Sequence, residues 1–341
     1  MKNNFLFIHK EKFLEFLKKL SSIYKVVVPQ GEKDYIFEEF KADFCFNQYR
    51  PVTSLRQFFL PSVEKLNEYF DNSQNNKNSF CIVGVKNCDL YSLKIQNCIF
   101  LEDEIDTSYD YQYKNNFIIS SDCISFKEVC FCVLLDIKPF PQNHFDLNLS
   151  LLNGGYLVEI GSEKGKKVIE ENKDLFEKIN QQSLKERETQ RNKIIKDLSS
   201  HLEKQGIPKK ELLYQLVKEG YENEIWQEEA LRCVECGCCI MNCPTCHCFL
   251  LFDIKKNDKF IRARTWDGCQ YKNFARAAGG ANPLKFRMYR LRNRYIKKFE
   301  FFPDRYGLYA CTGCGRCIEG CPAKIDLREI FKILKEKATI K

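Results

Sequence analysis

Cysteine makes up nearly half of the stretch CVECGCCIMNCPTCHC, residues 233–248. Within it, four cysteines follow the spacing C-x2-C-x2-C-x3-C and are followed by proline, and CTGCGRCIEGCP at residues 311–322 repeats the pattern. The first run is Cys233, Cys236, Cys239 and Cys243, and the second is Cys311, Cys314, Cys317 and Cys321. This spacing is typical of bacterial two-cluster ferredoxins, so the sequence predicts two [4Fe-4S] clusters.

The spacing of each run suits a cubane. Three cysteines at intervals of three wrap a tight loop around one face of the cluster, and the fourth ligates the other cluster of the pair. Crossed ligation gives Cys233, Cys236, Cys239 and Cys321 to cluster one, and Cys311, Cys314, Cys317 and Cys243 to cluster two. Such cramped loops suit glycine, which is present at Gly237, Gly313 and Gly315. A zinc ribbon, by contrast, needs only two C-x2-C pairs and has no use for the third and fourth cysteines.

The chain has more cysteines than two clusters need, nineteen in all. Their odd number, their close spacing and the lack of an export signal argue against disulfides and for metal binding. Four of the remaining cysteines are candidate ligands of a third iron–sulfur cluster: Cys88, Cys123, Cys130 and Cys132. A second candidate group, left open as an alternative, is Cys246, Cys248 and Cys269. We expect Cys45, Cys81 and Cys98 to pack in the core.

The rest of the sequence predicts an α+β protein in three parts. Residues 1–165 alternate helix-like and strand-like patterns and predict a mixed α/β domain, which could hold the extra cluster. Residues 166–230 are rich in Lys, Glu and Gln with apolar residues at helical spacing, and predict a helical connector. Residues 231–341 predict a bacterial-ferredoxin-like domain with two [4Fe-4S] clusters and an insertion at 249–310.

Individual elements follow from hydrophobic periodicity. The stretch MKNNFLFIHKEKFLEFLKKL at the start predicts an amphipathic helix, and so does PSVEKLNEYF from Pro61. Short apolar runs rich in β-branched residues predict strands in YKVVVPQG, SFCIVGVKNC, NFIISSDC, CFCVLLD and GYLVEIG.

Composition and charge narrow the function classes. The 341 residues are 44% hydrophobic, which is enough for a buried core, and the formal net charge is +8. No apolar run approaches the roughly 18 residues of a membrane span, and the start lacks the features of a signal peptide, so we expect a cytoplasmic protein.

The basic stretch KFRMYRLRNRYIKK, residues 285–298, has interleaved aromatics, as single-strand-binding surfaces do. A solvated helix face or a docking surface for an acidic partner fits it better, and we expect no nucleic acid.

Several longer motifs resemble a known family. They are PVTSLRQFFLP at 51–61, VGVKNCDL at 83–90, SDCISFKEVCFCV at 121–133, IWQEEALRCVECGCCIMNCPTCHCF at 225–249, RTWDGCQYKNFARAAGG at 264–280 and CTGCGRCIEGCP at 311–322. Together they resemble the iron–sulfur β subunit of cytoplasmic sulfhydrogenases, a family shared with the iron–sulfur electron-transfer subunit of anaerobic sulfite reductases. Lys86 and Asn87 stand where the family usually has arginine before the Cys-Asp pair, and CVLLDIKP replaces the more usual Ser-Met-Gly.

The resemblance implies an electron-carrying subunit in a cytoplasmic complex. Its partners would be a flavoprotein that binds FAD and NAD(P)H and a catalytic subunit, which is a [NiFe] hydrogenase in one branch and a sirohaem sulfite reductase in the other. A ferredoxin is a further candidate partner, and the SLRQFFLP motif favours the hydrogenase branch.

The residues themselves lead to the same class of function. Every strong motif is a set of cluster ligands, and the sequence has neither a GxGxxG nucleotide motif nor a P-loop. We therefore predict an electron-transfer subunit of an oxidoreductase with no catalytic residues of its own. The alternatives are the electron-transfer subunit of an anaerobic sulfite reductase, or a stand-alone reductase of sulfur compounds that uses the surplus cysteines.

Overall fold

The computed structural model describes residues 4–69, 79–102, 104–257 and 259–338. The chain forms two compact units, Met1–Phe59 with Ser73–Ser199, and Leu60–Asn72 with Ser200–Lys341. It mixes helices and strands along its length, which agrees with the predicted α+β class. The finer division into three parts at residues 165 and 230 stays a prediction.

The strands and helices can be named in chain order. The strands are β1 (Phe5–His9), β2 (Lys25–Gln30), β3 (Ile36–Glu39), β4 (Val63–Glu68), β5 (Phe80–Val85), β6 (Phe117–Ser121), β7 (Leu147–Leu152), β8 (Gly155–Ile160), β9 (Glu177–Lys178), β10 (Phe249–Lys256) and β11 (Lys259–Trp266). The helices are α1 (Lys10–Leu20), α2 (Asn87–Phe100), α3 (Thr107–Asn115), α4 (Glu163–Glu171), α5 (Gln181–Lys204), α6 (Lys210–Glu219), α7 (Ile225–Arg232), α8 (Cys238–Met241), α9 (Arg287–Ile296), α10 (Phe302–Tyr306), α11 (Arg316–Glu319) and α12 (Leu327–Lys337).

The first unit is built on an eight-stranded mixed sheet with the order β3-β2-β5-β6-β7-β8-β1-β9. Its centre is parallel, because β2, β5, β6 and β7 run in the same direction. The central strand β5, FCIVGV, is buried along almost its whole length, as expected for a parallel strand covered on both faces. Parallel neighbours end at the same edge of a sheet, so the residues that follow β5 and β6 lie at one edge.

Helix α1 covers part of this sheet. Its apolar residues recur at intervals of three and four, and Phe13, Phe16 and Leu17 are buried. They share one core cluster with Val83 of β5 and Phe117 of β6. The spacing of the sequence therefore places the helix on the sheet by the burial of one apolar stripe.

The three cysteines expected in the core have different environments. Cys81 on β5 is fully buried in the core cluster, and Cys98 is buried on α2. Cys45 is exposed, so the prediction of core packing is wrong for this residue. It lies in an irregular segment after β3, where no strand or helix directs its side chain into the core.

Three predicted elements differ in the structure. PSVEKLNEYF contains the strand β4 rather than a helix, because its backbone pairs antiparallel with β11 and this pairing overrides the helical spacing. In CFCVLLD the structure has a short 3-10 helix, Cys132–Leu135, which ends at Asp136 in the left-handed region (φ 59°), instead of a strand. The N-terminal helix begins only at Lys10, because Phe5–His9 pairs with β8 as a strand.

The second unit contains a small antiparallel sheet, β10-β11-β4, and most of the helices after α5. Aromatic side chains form its helical core: the Trp226 and Tyr295 rings lie 5.1 Å apart, and the Phe299 and Phe331 rings 4.9 Å apart. No helix in the described ranges is long and apolar enough to span a bilayer.

A buried ion pair fixes the end of β6. Arg191 on α5 donates from Nε to Asp122 Oδ2 at 2.8 Å and from Nη2 to Oδ1 at 3.0 Å. Asn148 and Ser150 on β7 also donate to this carboxylate, at 3.0 and 2.7 Å. Because Asp122 immediately precedes Cys123, this network holds the turn in which Cys123 lies.

Replacing Arg191 with methionine leaves the Asp122 carboxylate buried without its cation. We expect the free energy of unfolding to fall by about 3–5 kcal/mol, measured by denaturant unfolding of the full chain. Lys12→Met, which removes an exposed pair with Glu177, is the control and should change little. Equal, small effects of the two substitutions would contradict a structural role for Arg191.

Candidate metal centre

The two cysteine runs have the same backbone conformation. In the first run, Glu235 (φ 57°) and Gly237 (φ 75°) are left-handed, and in the second run Gly313 (φ 64°) and Gly315 (φ 71°) occupy the equivalent positions. A short helix follows each run's second left-handed residue, α8 in one case and α11 in the other. Alternating left- and right-handed residues turn successive amides toward one point, an arrangement that binds anionic groups such as iron–sulfur clusters.

Hydrogen bonds repeat between the runs as well. The amide of Ile240 donates to the Gly237 carbonyl at 2.9 Å, and the amide of Ile318 donates to the Gly315 carbonyl at 3.0 Å. The helices α8 and α11 contact each other. The repeated spacing in the sequence is thus a repeated loop in space, with the two copies side by side.

Glycine at position 237 suits the left-handed backbone angle and also leaves room for Tyr271. A Cβ there would lie 2.3 Å from the Tyr271 hydroxyl oxygen, closer than any real contact. The ring of Tyr271 therefore packs directly against the loop between Cys236 and Cys239.

A cavity brings the first three cysteines of the first run together with the last two cysteines of the second. Its empty volume is about 550 Å³, counted out to its open mouth. The cysteines that line it are Cys233, Cys236, Cys238, Cys239, Cys317 and Cys321. Pro322, Ile325 and Leu327 add an apolar wall. The four cysteines predicted for cluster one all line this cavity.

Several cysteines predicted for cluster two affect one another's pKa values through their charges. Burial raises the pKa of the partly buried Cys317 thiol; the charge of Arg294 opposes this increase, and the charges of Cys314 and Cys243 add to it. Burial raises the pKa of the Cys311 thiol to about 12, and Cys243 adds to the increase. Cys243, from the first run, therefore lies near enough to Cys311 and Cys317 of the second run to affect their pKa values.

Two buried cations lie against these thiols. Lys298 Nζ donates to Cys243 Sγ at 3.6 Å, to Thr245 Oγ1 at 2.6 Å and to the Ala310 carbonyl at 2.8 Å. Arg294 Nη2 donates to the Cys239 carbonyl at 3.0 Å. The charges of Cys317 and Cys239 contribute to a pKa of Arg294 well above its usual range, against the effect of burial.

The two buried cations indicate what charge a cofactor at this site must carry. A buried ammonium or guanidinium is costly unless an anion lies beside it. Four thiolates around a cubane supply that negative charge, and sulfur is the donor that iron–sulfur clusters use. A set of neutral thiols would leave Lys298 and Arg294 without charge compensation. The residues present therefore fit an anionic cluster.

A single metal ion fits less well. Among residues 4–69, 79–102, 104–257 and 259–338, no group of three or more His, Cys, Asp or Glu side chains is arranged to hold one ion. His247, the histidine within the first cysteine-rich stretch, has its pKa lowered to about 4 by burial, and its Nδ1 lies 3.2 Å from the Thr245 carbonyl.

The structure places the other cysteines in two groups. Cys246 is hydrogen-bonded to Cys243, which raises the pKa of Cys246, and Cys248 lies near enough to Cys269 for its pKa to respond to that thiol. Cys246 and Cys248 line a separate small pocket with His247 and Trp266. In the first unit, Cys88, Cys130 and Cys132 are buried and Cys123 is partly buried, at the edge where β5 and β6 end.

The buried cations were the residues that the sequence analysis missed. KFRMYRLRNRYIKK was expected to be a solvated or docking surface, but Arg290, Arg292, Arg294 and Lys298 are all buried. Their charges are directed at carbonyls, carboxylates and thiols, as in the ion pair between Arg290 and Glu235. The sequence signal that could have found them was the position of this stretch between two sets of thiolates.

The chain is similar in sequence to known iron–sulfur proteins. Residues 232–325 match the family described as 4Fe-4S dicluster domain. Over 336 residues the chain is 29% identical to sulfhydrogenase 2 subunit beta of Pyrococcus furiosus, a match that covers 96% of this chain and 98% of that protein. The resemblance predicted from the motifs is confirmed: the chain is similar, over nearly its whole length, to a sulfhydrogenase β subunit, and residues 232–325 match a 4Fe-4S dicluster domain.

Proposed function

We propose that the protein is a cytoplasmic iron–sulfur electron-transfer subunit of a multi-subunit oxidoreductase. The observation that carries the proposal is the cavity in which Cys321 joins Cys233, Cys236 and Cys239. Two loops of equal conformation with exchanged fourth cysteines are what a pair of neighbouring [4Fe-4S] clusters requires. Each cluster supplies a site that accepts and releases one electron.

The ligands follow from this arrangement. Cluster one is held by Cys233, Cys236, Cys239 and Cys321, and cluster two by Cys311, Cys314, Cys317 and Cys243. Amides of the two loops orient toward the clusters, and the apolar wall at Ile325 and Leu327 limits access of water. Hydrogen bonding and limited solvent access are the means by which a protein sets the potential of such a cluster.

The partners are inferred from the similarity. The relative's name describes one subunit of a sulfhydrogenase, so a complex with a hydrogenase-type catalytic subunit is the arrangement that we propose for this chain. A flavoprotein that binds FAD and NAD(P)H, or a ferredoxin, would supply or remove electrons at the other end. Flavin and nicotinamide binding is assigned to that partner because this sequence has no motif for either.

Electron transfer without catalysis can be tested on the isolated chain, purified without oxygen. We expect it to take up electrons reversibly at each C-terminal cluster, as seen in the cluster absorbance and in the electron paramagnetic resonance (EPR) spectrum. It should turn over neither hydrogen, sulfite nor polysulfide until a catalytic partner is added. Sulfite or polysulfide turnover by this chain alone would contradict the proposal in favour of a stand-alone reductase. If a sirohaem protein rather than a [NiFe] protein co-purifies with the chain, the chain belongs with the subunits of sulfite reductases.

Crossed ligation gives a sharper test of the ligands. Alanine at Cys236 and Cys321 together should remove about four iron atoms per chain, because both serve one cluster. Alanine at Cys236 and Cys243 together should remove about eight, because these residues serve different clusters. Iron and acid-labile sulfide are measured for each protein, with circular dichroism to confirm folding.

A cysteine in the same run provides the matched control. Cys238 also lines the cavity, and its sulfur accepts a hydrogen bond from Asn242 Nδ2 at 3.1 Å. Cys238→Ala should keep the full iron content. Equal losses for the two double variants, or iron loss on replacing Cys238, would show that the ligands are assigned wrongly.

The buried ammonium of Lys298 should raise the potential of cluster two. A hydrogen bond to a charged group contributes about 1.5–3 kcal/mol, and about 1.4 kcal/mol corresponds to 59 mV for one electron. We expect Lys298→Met to lower one midpoint potential by roughly 60–120 mV and to leave the other nearly unchanged. Lys297→Met removes the same charge from a less buried neighbour and should have a smaller effect. Unchanged potentials in Lys298→Met, measured by EPR-monitored redox titration, would exclude this role.

A further inference from the structure

A second buried lysine has the same kind of environment as Lys298. In the first unit, Lys86 is fully buried and donates from Nζ to the Asn47 carbonyl at 2.5 Å, to Ser121 Oγ at 2.8 Å and to the Asp122 carbonyl at 2.8 Å. These three neutral oxygens satisfy its three N–H donors. Lys298 also donates to a hydroxyl and a backbone carbonyl, and its third bond goes to a thiol.

The carboxylate of Asp122, whose carbonyl Lys86 bonds, is already neutralised. Asp122 is bound by Arg191 through two hydrogen bonds and by side chains of β7. Because water does not reach Lys86, its positive charge is stabilised only if another anion lies beside it.

Four cysteines lie in the segments beside this lysine. Cys88 lies in the first turn of α2, two residues after Lys86, and Cys123 follows β6 at the same edge of the sheet. The Cys123 amide donates to the Pro139 carbonyl at 2.9 Å, and the Cys132 carbonyl accepts from the Ile137 amide at 3.1 Å. The loop from 123 to 139 is thereby folded back on itself and carries Cys130 and Cys132 with it.

Lys86 links two of these segments at the sheet edge. Its Nζ donates to the carbonyl of Asp122, the residue just before Cys123, and Cys88 lies two residues after Lys86 at the start of α2. Cys88, Cys130 and Cys132 are buried and Cys123 is partly buried.

We propose that Cys88, Cys123, Cys130 and Cys132 bind a third [4Fe-4S] cluster in the first unit, with Lys86 as its buried counter-charge. On binding, each cysteine exchanges its S–H bond for an Fe–S bond and releases a proton to solvent, so four thiolates face the cluster. Charge balance favours this occupant: the thiolate-bound cluster is anionic and offsets the lysine. The first unit then takes part in electron storage rather than acting only as a scaffold.

The test is the iron and acid-labile sulfide content of the full chain, purified without oxygen. We expect about twelve of each per chain, and about eight for Cys88→Ala and for Cys123→Ala. Cys98→Ala is the matched control, because Cys98 is buried on the same helix as Cys88 but donates to the Lys94 carbonyl at 3.3 Å. This control should keep all twelve.

A further variant separates this inference from the proposed function. With alanine at both Cys236 and Cys314, the C-terminal clusters are lost and about four iron atoms should remain. Those four belong to the first unit whatever the outcome for the crossed ligands. Mössbauer spectra of this variant should show a single [4Fe-4S] cluster.

Two results would overturn the third cluster. One is about eight iron atoms in the wild type with no further loss in Cys88→Ala or Cys123→Ala. The other is one zinc per chain that is lost in the same two variants, which would assign the four cysteines to a single zinc ion.

Discussion

Charge compensation in places without water is the constraint on which the cysteine-rich part of this protein depends. Lys298 and Arg294 are buried on one continuous helical segment, and their charges are directed at thiols and carbonyls of the two cysteine runs. Neither cation would be tolerated there without negative charge nearby, and thiolates around a cluster provide it. The helix and the clusters therefore depend on each other: the cations favour the anionic cluster, and the cluster makes the burial of the cations acceptable.

The connectivity of the clusters adds a second constraint. Cys321 lies in a cavity with residues of the first run, although a segment with two strands and two helices separates the runs in sequence. A cross-link that closes a loop of this size removes roughly 4 kcal/mol of chain entropy from the unfolded state. Crossed ligation would tie both ends of the inserted segment to one pair of cofactors. The small sheet β10-β11-β4 and α9 can then be positioned by the clusters as much as by their own packing.

The sequence alone was enough to predict features that depend only on residues close together along the chain. The spacing of the two runs predicts matching loops, and the structure has matching left-handed residues at 235, 237, 313 and 315. The sequence alone did not predict the structure of segments that pair or pack with residues far along the chain. PSVEKLNEYF has helical spacing, but β11 pairs with it, and β11 lies almost two hundred residues further along the chain. The basic stretch 285–298 looks like a surface until the thiols that face it are known.

The cysteines of the first unit show why thiol content by itself does not identify a metal site. Cys81 and Cys98 are as buried as Cys88 and Cys132, yet Cys81 is surrounded by aliphatic and aromatic side chains of the core cluster. What sets Cys88 apart is a buried cation two residues before it, Lys86, whose own hydrogen bonds go to neutral oxygens. A free thiol gains nothing from such a neighbour, because it is uncharged, whereas a thiolate on a cluster is stabilised by it. The position of a buried lysine therefore distinguishes Cys88 from Cys81 and Cys98, which the density of cysteine in the sequence does not.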